Sequence, residues 1–173
     1  MKINVGLSLK SIEEAIEKLE KYQNKIEEAA RIFTQKLAEL GVQTIDTTIA
    51  GTPADPNASM EHMTEFYEVE SSDDGVTFTI HLTGENVLFI EFGTGVHYNG
   101  PVGTSPHPKG AELGYTIGSY GLGQGANEYW WYTEDGQKIR TSGQAAACSI
   151  PAAVSVMTEN IVNYAKDAWS MAD

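Results

Sequence analysis

Residues 11–40, SIEEAIEKLEKYQNKIEEAARIFTQKLAEL, carry an amphipathic pattern that predicts one long helix. Apolar side chains recur in steps of three and four, interrupted at Gln23, and comprise Ile12, Ile16, Leu19, Ile26, Ala30, Phe33, Leu37 and Leu40. A helix of this length would extend about 45 Å, which exceeds the width of a domain of this size. We therefore expect it to lie across a whole sheet, to project toward a neighbouring molecule, or to break near residues 22–24.

Both ends of this helix have recognisable signals. Ser11 is suited to the N-cap, with Glu14 completing a capping box, and Gly41 predicts a left-handed C-terminal stop. The next stretch, VQTIDTTIA at 42–50, alternates β-branched and polar side chains and predicts a strand. Residues 51–63 contain glycine, two prolines and asparagine, which indicates a loop.

Two hairpins and a second helix are predicted further along the chain. Residues 64–84 form two strand patterns around an SDDG turn, and residues 129–133 and 137–141 flank an EDG turn. The C-terminal helix covers residues 149–172, with Pro151 in its first turn, where proline is tolerated. Its predicted apolar face consists of Val154, Met157, Ile161, Tyr164, Ala165 and Ala168.

The centre of the chain has a less regular pattern. NVLFIEFG at 86–93 is either a buried strand or one or two helical turns. Residues 93–128 are rich in glycine and lack hydrophobic periodicity, which predicts a long loop or arm. The G-x-G-x-G series at 121–125 lacks the strand-to-helix setting of a dinucleotide fingerprint. The order of elements indicates a single α+β domain over residues 1–173, with an antiparallel sheet of about four strands packed by the two helices.

Composition narrows the functional classes. The chain has 173 residues and a formal net charge of −13, and its basic residues form no cluster, which argues against a protein that grips nucleic-acid phosphates. The chain contains no run of about 18 apolar residues, so the sequence predicts no membrane span. The single cysteine, Cys148, fits a reducing cytosol, and we expect it to be a small buried residue.

Three side chains offer an enzymatic alternative. Glu91, His97 and His107 are the residue types of a metal site built from two histidines and one carboxylate, as in a small metal-dependent hydrolase. Their spacing matches no helical ligand motif, and the serines lack the setting of a nucleophile elbow. We expect no cofactor.

An aromatic run marks the second hairpin. Tyr129, Trp130 and Trp131 are adjacent, and neighbouring side chains of a strand point to opposite faces. One tryptophan can therefore enter the core, while the other needs a cover, for which an interface with another chain is suited.

Several segments together resemble the tail-completion or head–tail joining family of long-tailed bacteriophages. They are the charged N-terminal helix, FIEFGTG at 89–95, HP at 107–108 and the closing SIPAAVSVMTENIVNYAKDA at 149–168. The chain departs from the family pattern in the glycine-rich segment 110–128. It also departs in CSIPAA, where the family usually carries an aromatic residue beside the proline.

The resemblance implies a structural protein of the virion neck or tail, assembled in the bacterial cytoplasm, and not an enzyme. It implies a homo-oligomeric ring, usually of six copies, between the head connector or stopper and the tail tube or tail terminator. DNA would pass through the ring as cargo, and an acidic subunit suits such a channel because phosphate contacts would hold the DNA back. A tail terminator or another tail-tube protein is the alternative of the same kind.

For such a subunit, Gly93 and Gly95 would permit sharp turns with positive φ, and Thr94 would bond to the backbone of that turn. Glu91 lies in an apolar segment and would be costly to bury unpaired. We predict that it is a structural anchor, accepting N–H groups of the 93–97 turn or pairing with a basic residue such as Arg140. The expected interface and structural residues are Glu91, Phe92, Gly93, Thr94, Gly95, His107, Pro108, Tyr129, Trp130, Trp131 and Pro151.

Overall fold

The computed structural model describes residues 6–69, 75–100, 105–114 and 127–172, and there the chain has an α+β fold. The helices are α1 (Leu9–Ala50), α2 (Val87–Phe92), α3 (Val96–Asn99) and α4 (Ser149–Met171). The strands are β1 (Met63–Val69), β2 (Thr77–Thr83), β3 (Trp130–Glu134) and β4 (Gln137–Thr141). Most of the predicted SDDG turn and the glycine series at 121–125 lie outside the described residues. None of the helices described is long and apolar enough to cross a lipid bilayer.

Helix α1 continues past Gly41, so the predicted stop there and the predicted strand at 42–50 are both wrong. The strand pattern was ambiguous because Ile45 and Ile49, which are buried, lie four residues apart and therefore also share one face of a helix. Three threonine hydroxyls in this stretch donate to main-chain carbonyls one turn earlier, which accommodates these β-branched residues in the helix. The helix has its C-cap at Gly51.

Gly41 serves close packing and not helix termination. A Cβ atom at this position would lie 2.5 Å from Cδ1 of Ile80 and 2.9 Å from Sδ of Met157. Helix α1 therefore packs so closely against β2 and α4 here that the hydrogen atom of glycine fits, whereas a methyl group would displace the ends of Ile80 and Met157.

The start of α1 also differs from the prediction. Ser8 is the N-cap, and its hydroxyl accepts the N–H of Ser11 at 3.2 Å. The expected capping box of Ser11 and Glu14 is therefore wrong by one turn, because the helix begins before the periodic apolar pattern becomes obvious.

The two predicted hairpins are confirmed, but they do not form one sheet. β1 pairs antiparallel with β2, with Phe66 opposite Ile80, and β3 pairs antiparallel with β4, with Tyr132 opposite Ile139. The single sheet of about four strands is wrong: the described strands form two separate two-stranded sheets. The reason is that the hairpins have different partners. β1 and β2 pack on α1, whereas β3 and β4 are tied to the loop at 53–58.

The core lies where α1, α2, β2 and the start of α4 meet. Its buried centre is formed by Ile45, Ile49, Ile90, Ala147 and Ala153, and the partly buried Met60, Ile80, Leu82 and Met157 pack against it. The segment at 86–93 is thus resolved as the helical alternative, since Ile90 and Phe92 of α2 are buried.

The predicted apolar face of α4 is only partly buried. Ala168 of that face is buried and Met157 packs against the core, whereas Val154 and Ile161 are exposed. Ala153 is buried as well and was not predicted. The apolar residues of α4 cover more of its circumference than one neighbouring helix can shield, so sequence periodicity alone did not identify which part faces α1.

Candidate functional site

Glu91 is the centre of the site that the sequence singled out. It lies near the end of α2 and is 3% exposed. Oε1 accepts hydrogen bonds from Nε2 of His107 and the N–H of Ile150, both at 3.0 Å. Oε2 accepts the N–H of Ser149 at 2.9 Å and its hydroxyl at 2.6 Å. Four donors offset the desolvation of the carboxylate, so a buried charge is tolerated here.

The partners predicted for Glu91 are wrong, although the carboxylate is buried and fully hydrogen-bonded. Its donors come from α4 and from the turn at 105–110, and not from the 93–97 turn. Arg140, the suggested basic partner, places its guanidinium over the ring of Tyr129, 3.9 Å from the ring centroid.

Glu91 caps the N-terminus of α4 from a distant part of the chain. Ser149 and Ile150 direct their N–H groups at the carboxylate, Pro151 has no N–H, and Ala152 donates to the carbonyl of Cys148 at 3.1 Å. The first helix positions therefore have partners or need none. The negative charge also lies at the positive end of the helix dipole. Pro151 therefore suits this position, because it adds no N–H group that would need a partner.

Contacts on both ring nitrogens assign His107 to one tautomer. The N–H of Lys109 donates to Nδ1 at 3.0 Å, so Nδ1 carries no proton. Nε2 then carries the proton and donates it to Glu91. The imidazole is therefore neutral in this network, and its ring packs on Phe92 with centroids 4.2 Å apart.

The turn containing His107 and Pro108 is fastened to the same site. Ser105 Oγ donates to the carbonyl of Phe92 at 3.0 Å, and the carbonyl of His107 accepts the N–H of Gly110 at 2.9 Å. Pro108 is exposed within this turn. The HP pair therefore positions the imidazole against Glu91, which makes it a structural element.

The Gly-Thr-Gly segment forms the second part of the site. Gly93 and Gly95 have φ values of 77° and 78°, as predicted. A Cβ on Gly93 would lie 2.6 Å from the main-chain nitrogen of Ala146, and one on Gly95 would lie 2.5 Å from the carbonyl oxygen of Ser142. The two glycines therefore allow two backbone segments to approach each other closely.

Hydrogen bonds join these two segments across about fifty positions of sequence. Thr94 donates its N–H to the carbonyl of Gln144 at 2.9 Å and its hydroxyl to the side-chain oxygen of Gln144 at 3.1 Å. The Asn99 amide donates to the carbonyls of Thr94 and Gln144 at 3.1 and 2.7 Å and accepts the N–H of Ala146 at 2.9 Å. Asn99 and Gln144 were not predicted, because nothing in the local sequence indicates partners so far along the chain.

Asp55 is a second carboxylate that sequence reasoning missed. It accepts the hydroxyl and N–H of Ser142 at 2.6 and 3.1 Å, and the N–H of Asn57 at 2.8 Å. The hydrogen bond from the Ser142 hydroxyl, followed by that from the Asn57 N–H, lowers the pKa of Asp55 below its ordinary value. The Asp-Pro-Asn order was a recognisable signal for the local turn, but not for the contact with Ser142.

The tryptophan pair divides between two faces of β3, as predicted. Trp130 is half-buried, with its ring beside Gly95 and Gly143, whereas Trp131 is 59% exposed. Tyr129 is also exposed and carries Arg140 on its ring. The cover for Trp131 by another chain stays a prediction.

The three candidate metal ligands are not assembled into a site. His97 is exposed on α3 and packs edge-on against Tyr98, while Glu91 and His107 are buried together. In the described ranges, no three His, Cys, Asp or Glu side chains form a group able to hold a metal ion. An open cleft of about 290 Å³ lies between the 56–59 loop and the second hairpin, and its lining includes none of these three residues.

Cys148 is half-buried, whereas the sequence analysis predicted a buried residue. It is the N-cap of α4 with a left-handed φ of 50°, and it makes no side-chain cap. Burial, and secondarily the charge of Glu91, raises the pKa of the thiol. These surroundings favour the protonated form, which is a poor nucleophile.

A comparison of the chain with protein-family models, with curated proteins and with solved structures found no match.

Proposed function

We propose that this protein is a structural subunit of a bacteriophage neck, a tail-completion or head–tail joining protein. It forms a ring of six copies between the head connector or stopper and the tail tube or tail terminator, and it is located in the virion. The observation that carries the proposal is the complete engagement of the Glu91 carboxylate by four internal donors. The motif that resembles the phage family thereby serves the shape of the chain.

The site supports a structural role over hydrolysis for a chemical reason. A general base or metal ligand needs a lone pair directed at substrate or metal, whereas both oxygens of Glu91 point at α4 and His107. Both ring nitrogens of His107 are likewise occupied by internal partners. The two residues join α2, α4 and the 105–110 turn into one unit.

Charge is consistent with a ring through which DNA passes without being held. Each subunit contributes a net charge of −13, so the assembled ring is strongly acidic. Binding to duplex DNA depends on lysine and arginine contacts to phosphates. We therefore expect no retardation of duplex DNA by this protein in a gel-shift assay at physiological ionic strength.

The proposal is tested by assembly with the neighbouring proteins. The purified chain is mixed with the connector and tail-tube proteins encoded in the same genome, and the mixtures are imaged by electron microscopy and weighed by mass photometry. Rings that bridge the two partners are expected. A chain that remains monomeric with both partners, or that binds stoichiometric zinc, iron or manganese, would overturn the proposal.

Position within the particle separates the neck from the alternative. A gold label on the C-terminus should mark the junction between head and tail in intact virions. A label at the end of the tail tube in tails that lack heads would instead identify a tail terminator and contradict the assignment to the neck.

A further inference from the structure

The N-terminal part of α1 extends past the end of α4. The two helices are antiparallel: Met157, in the first half of α4, lies against Gly41, and Trp169, near its end, packs edge-on against Tyr22 with ring centroids 5.9 Å apart. Residues 9–21 of α1 therefore project beyond α4 by about 20 Å. This segment is called the arm below.

One side of the arm is an exposed apolar stripe. Leu9 is 81% exposed and Leu19 is 55% exposed, with Ile12 and Ile16 between them at 43% and 50%. At 100° per residue, these four side chains fall within a sector of about 80°. Contiguous exposed apolar surface of this kind marks an interaction site.

Helix α4 carries a second exposed apolar surface. Ile150, Val154 and Ile161 are about half exposed, and Ala165 continues the same row, within a sector of about 60°. We call these four residues the outer face of α4. The charged residues of α4 are Glu159, Lys166 and Asp167, and they lie at least about 100° around the helix from this sector.

The two surfaces match in length and in polarity. The arm stripe, from Leu9 to Leu19, extends about 15 Å, and the outer face, from Ile150 to Ala165, extends about 22 Å. An arm can therefore lie along the outer face with its whole stripe covered. The charged side chains of α4 lie outside the outer face, so they stay in water when the stripe covers that face.

Charge argues against the pairing of two arms with each other. Glu13 and Glu20 border the stripe on one side. Antiparallel arms would place these glutamates against each other, and parallel arms would place Glu20 opposite Ala15, with no ion pair gained. The outer face of α4 would place no carboxylate opposite Glu13 and Glu20, so it is the better partner for the stripe.

We propose that the arm of one copy packs on the outer face of α4 of the next copy. Such a contact is heterologous, because each copy uses its arm on one neighbour and its outer face on the other. Every arm and every outer face is covered only when the copies close into a ring. This contact rests on the proposed ring and names the surfaces that form it.

Charge substitutions test the contact. Ile16→Glu in the stripe and Val154→Glu in the outer face should each raise the concentration needed for half assembly by about tenfold or more, since each buries an unpaired carboxylate. The controls are Lys18→Glu, on the opposite side of the arm, and Ser155→Glu, beside Val154 but directed away. They should change this concentration by less than about twofold. Mass photometry reports assembly, and an unchanged thermal midpoint shows that each variant is folded.

Cross-linking tests the head-to-tail geometry. In a Cys148→Ala background, Ile12→Cys and Val154→Cys in one chain should give a covalent ladder beyond dimers with a flexible bismaleimide. The two positions lie at opposite ends of the α1–α4 pair, so they cannot be bridged within one copy. Dimers from the Ile12→Cys variant alone would show arm-to-arm pairing and overturn the contact.

The outcomes separate this contact from the proposed function. Rings that persist in both the Ile16→Glu and Val154→Glu variants overturn the arm contact and leave the ring itself in place. A native chain that stays monomeric with its connector and tail-tube partners overturns both.

Discussion

Glu91 shows how a single buried charge can organise three segments. Its four donors belong to α4 and to the turn that carries His107, and its own main chain belongs to α2. A buried carboxylate without these donors would be strongly destabilising, whereas with them it selects one relative position of the segments. At Asp55 the same principle applies on a smaller scale, because its carboxylate joins the 53–58 loop to Ser142.

Replacing Glu91 with Gln should destabilise the protein. The amide NH₂ would face N–H donors at one of the two oxygen positions, so we expect Glu91→Gln to lower the free energy of unfolding by about 2–4 kcal/mol. Glu85→Gln, an exposed change near the start of α2, is the control and should stay within about 0.5 kcal/mol. Urea denaturation measures both, and equal stability of the two variants would contradict the anchoring role.

Asp55 should give stability a specific dependence on pH. Its pKa is depressed in the folded state by Ser142 and Asn57, so its contribution is present above the unfolded pKa of about 3.9 and is lost as the pH falls through the lower folded value. The difference in unfolding free energy between the native chain and Asp55→Asn should be constant above about pH 5 and shrink below about pH 4. Denaturation series from neutral to acidic pH measure it. The exposed Asp167→Asn serves as the control, and a difference that grows on acidification would be the wrong sign.

The secondary-structure elements are held together by glycines as much as by apolar packing. Gly41 admits β2 and α4 to the surface of α1, and Gly93 and Gly95 admit the chain after β4 to the Gly-Thr-Gly turn. The two cases differ in what a side chain would meet. At Gly41 it would meet the ends of Ile80 and Met157, whereas at Gly93 it would meet main-chain nitrogen.

Two glycine substitutions compare an open turn with a crowded one. Gly93 and Gly136 have φ of 77° and 78°, but a Cβ at Gly136 would meet nothing within 4 Å. Gly136→Ala should therefore cost about 1–2 kcal/mol, the left-handed penalty alone. Gly93→Ala should cost at least about 2 kcal/mol more, because ψ at Gly93 is 159°, a region open essentially only to glycine, and because the main chain of Ala146 must move as well. Thermal and urea unfolding give both values, and equal costs would show that the close approach at Gly93 is unimportant.

At the level of the entire chain, acidity and exposed apolar surface act in opposite directions. A net charge of −13 keeps copies apart, while the arm stripe and the outer face of α4 favour association. Assembly should therefore respond to ionic strength in a way that reports which effect limits it.

Salt should promote assembly of the ring. Raising the ionic strength from 0.01 to 0.1 M shortens the screening length from about 30 to about 10 Å and reduces repulsion between acidic copies, whereas an apolar contact is not weakened. The assembled fraction, measured by sedimentation velocity, should rise over this range. Sodium chloride and sodium acetate should act alike if screening is the cause. Dissociation of the ring on addition of salt would show that ion pairs dominate the interface, contrary to the apolar contact proposed above.

The sequence by itself determined the existence and type of the main elements. The long amphipathic helix, the two hairpins and the proline-led C-terminal helix were all predictable, because hydrophobic period and turn chemistry are local properties. The sequence also predicted the positive φ at Gly93 and Gly95, and it predicted that a buried Glu91 would need partners.

Only the tertiary structure decided how these elements are used. The glycine at position 41 has the local signature of a helix stop, and its packing role becomes visible only when Ile80 and Met157 are beside it. The partners of Glu91 lie 16 and 58 residues away, at His107 and Ser149. Strand patterns likewise do not encode which helix or loop each hairpin packs against. Contacts between residues remote in sequence depend on which surfaces meet in the folded chain, and no local pattern specifies that.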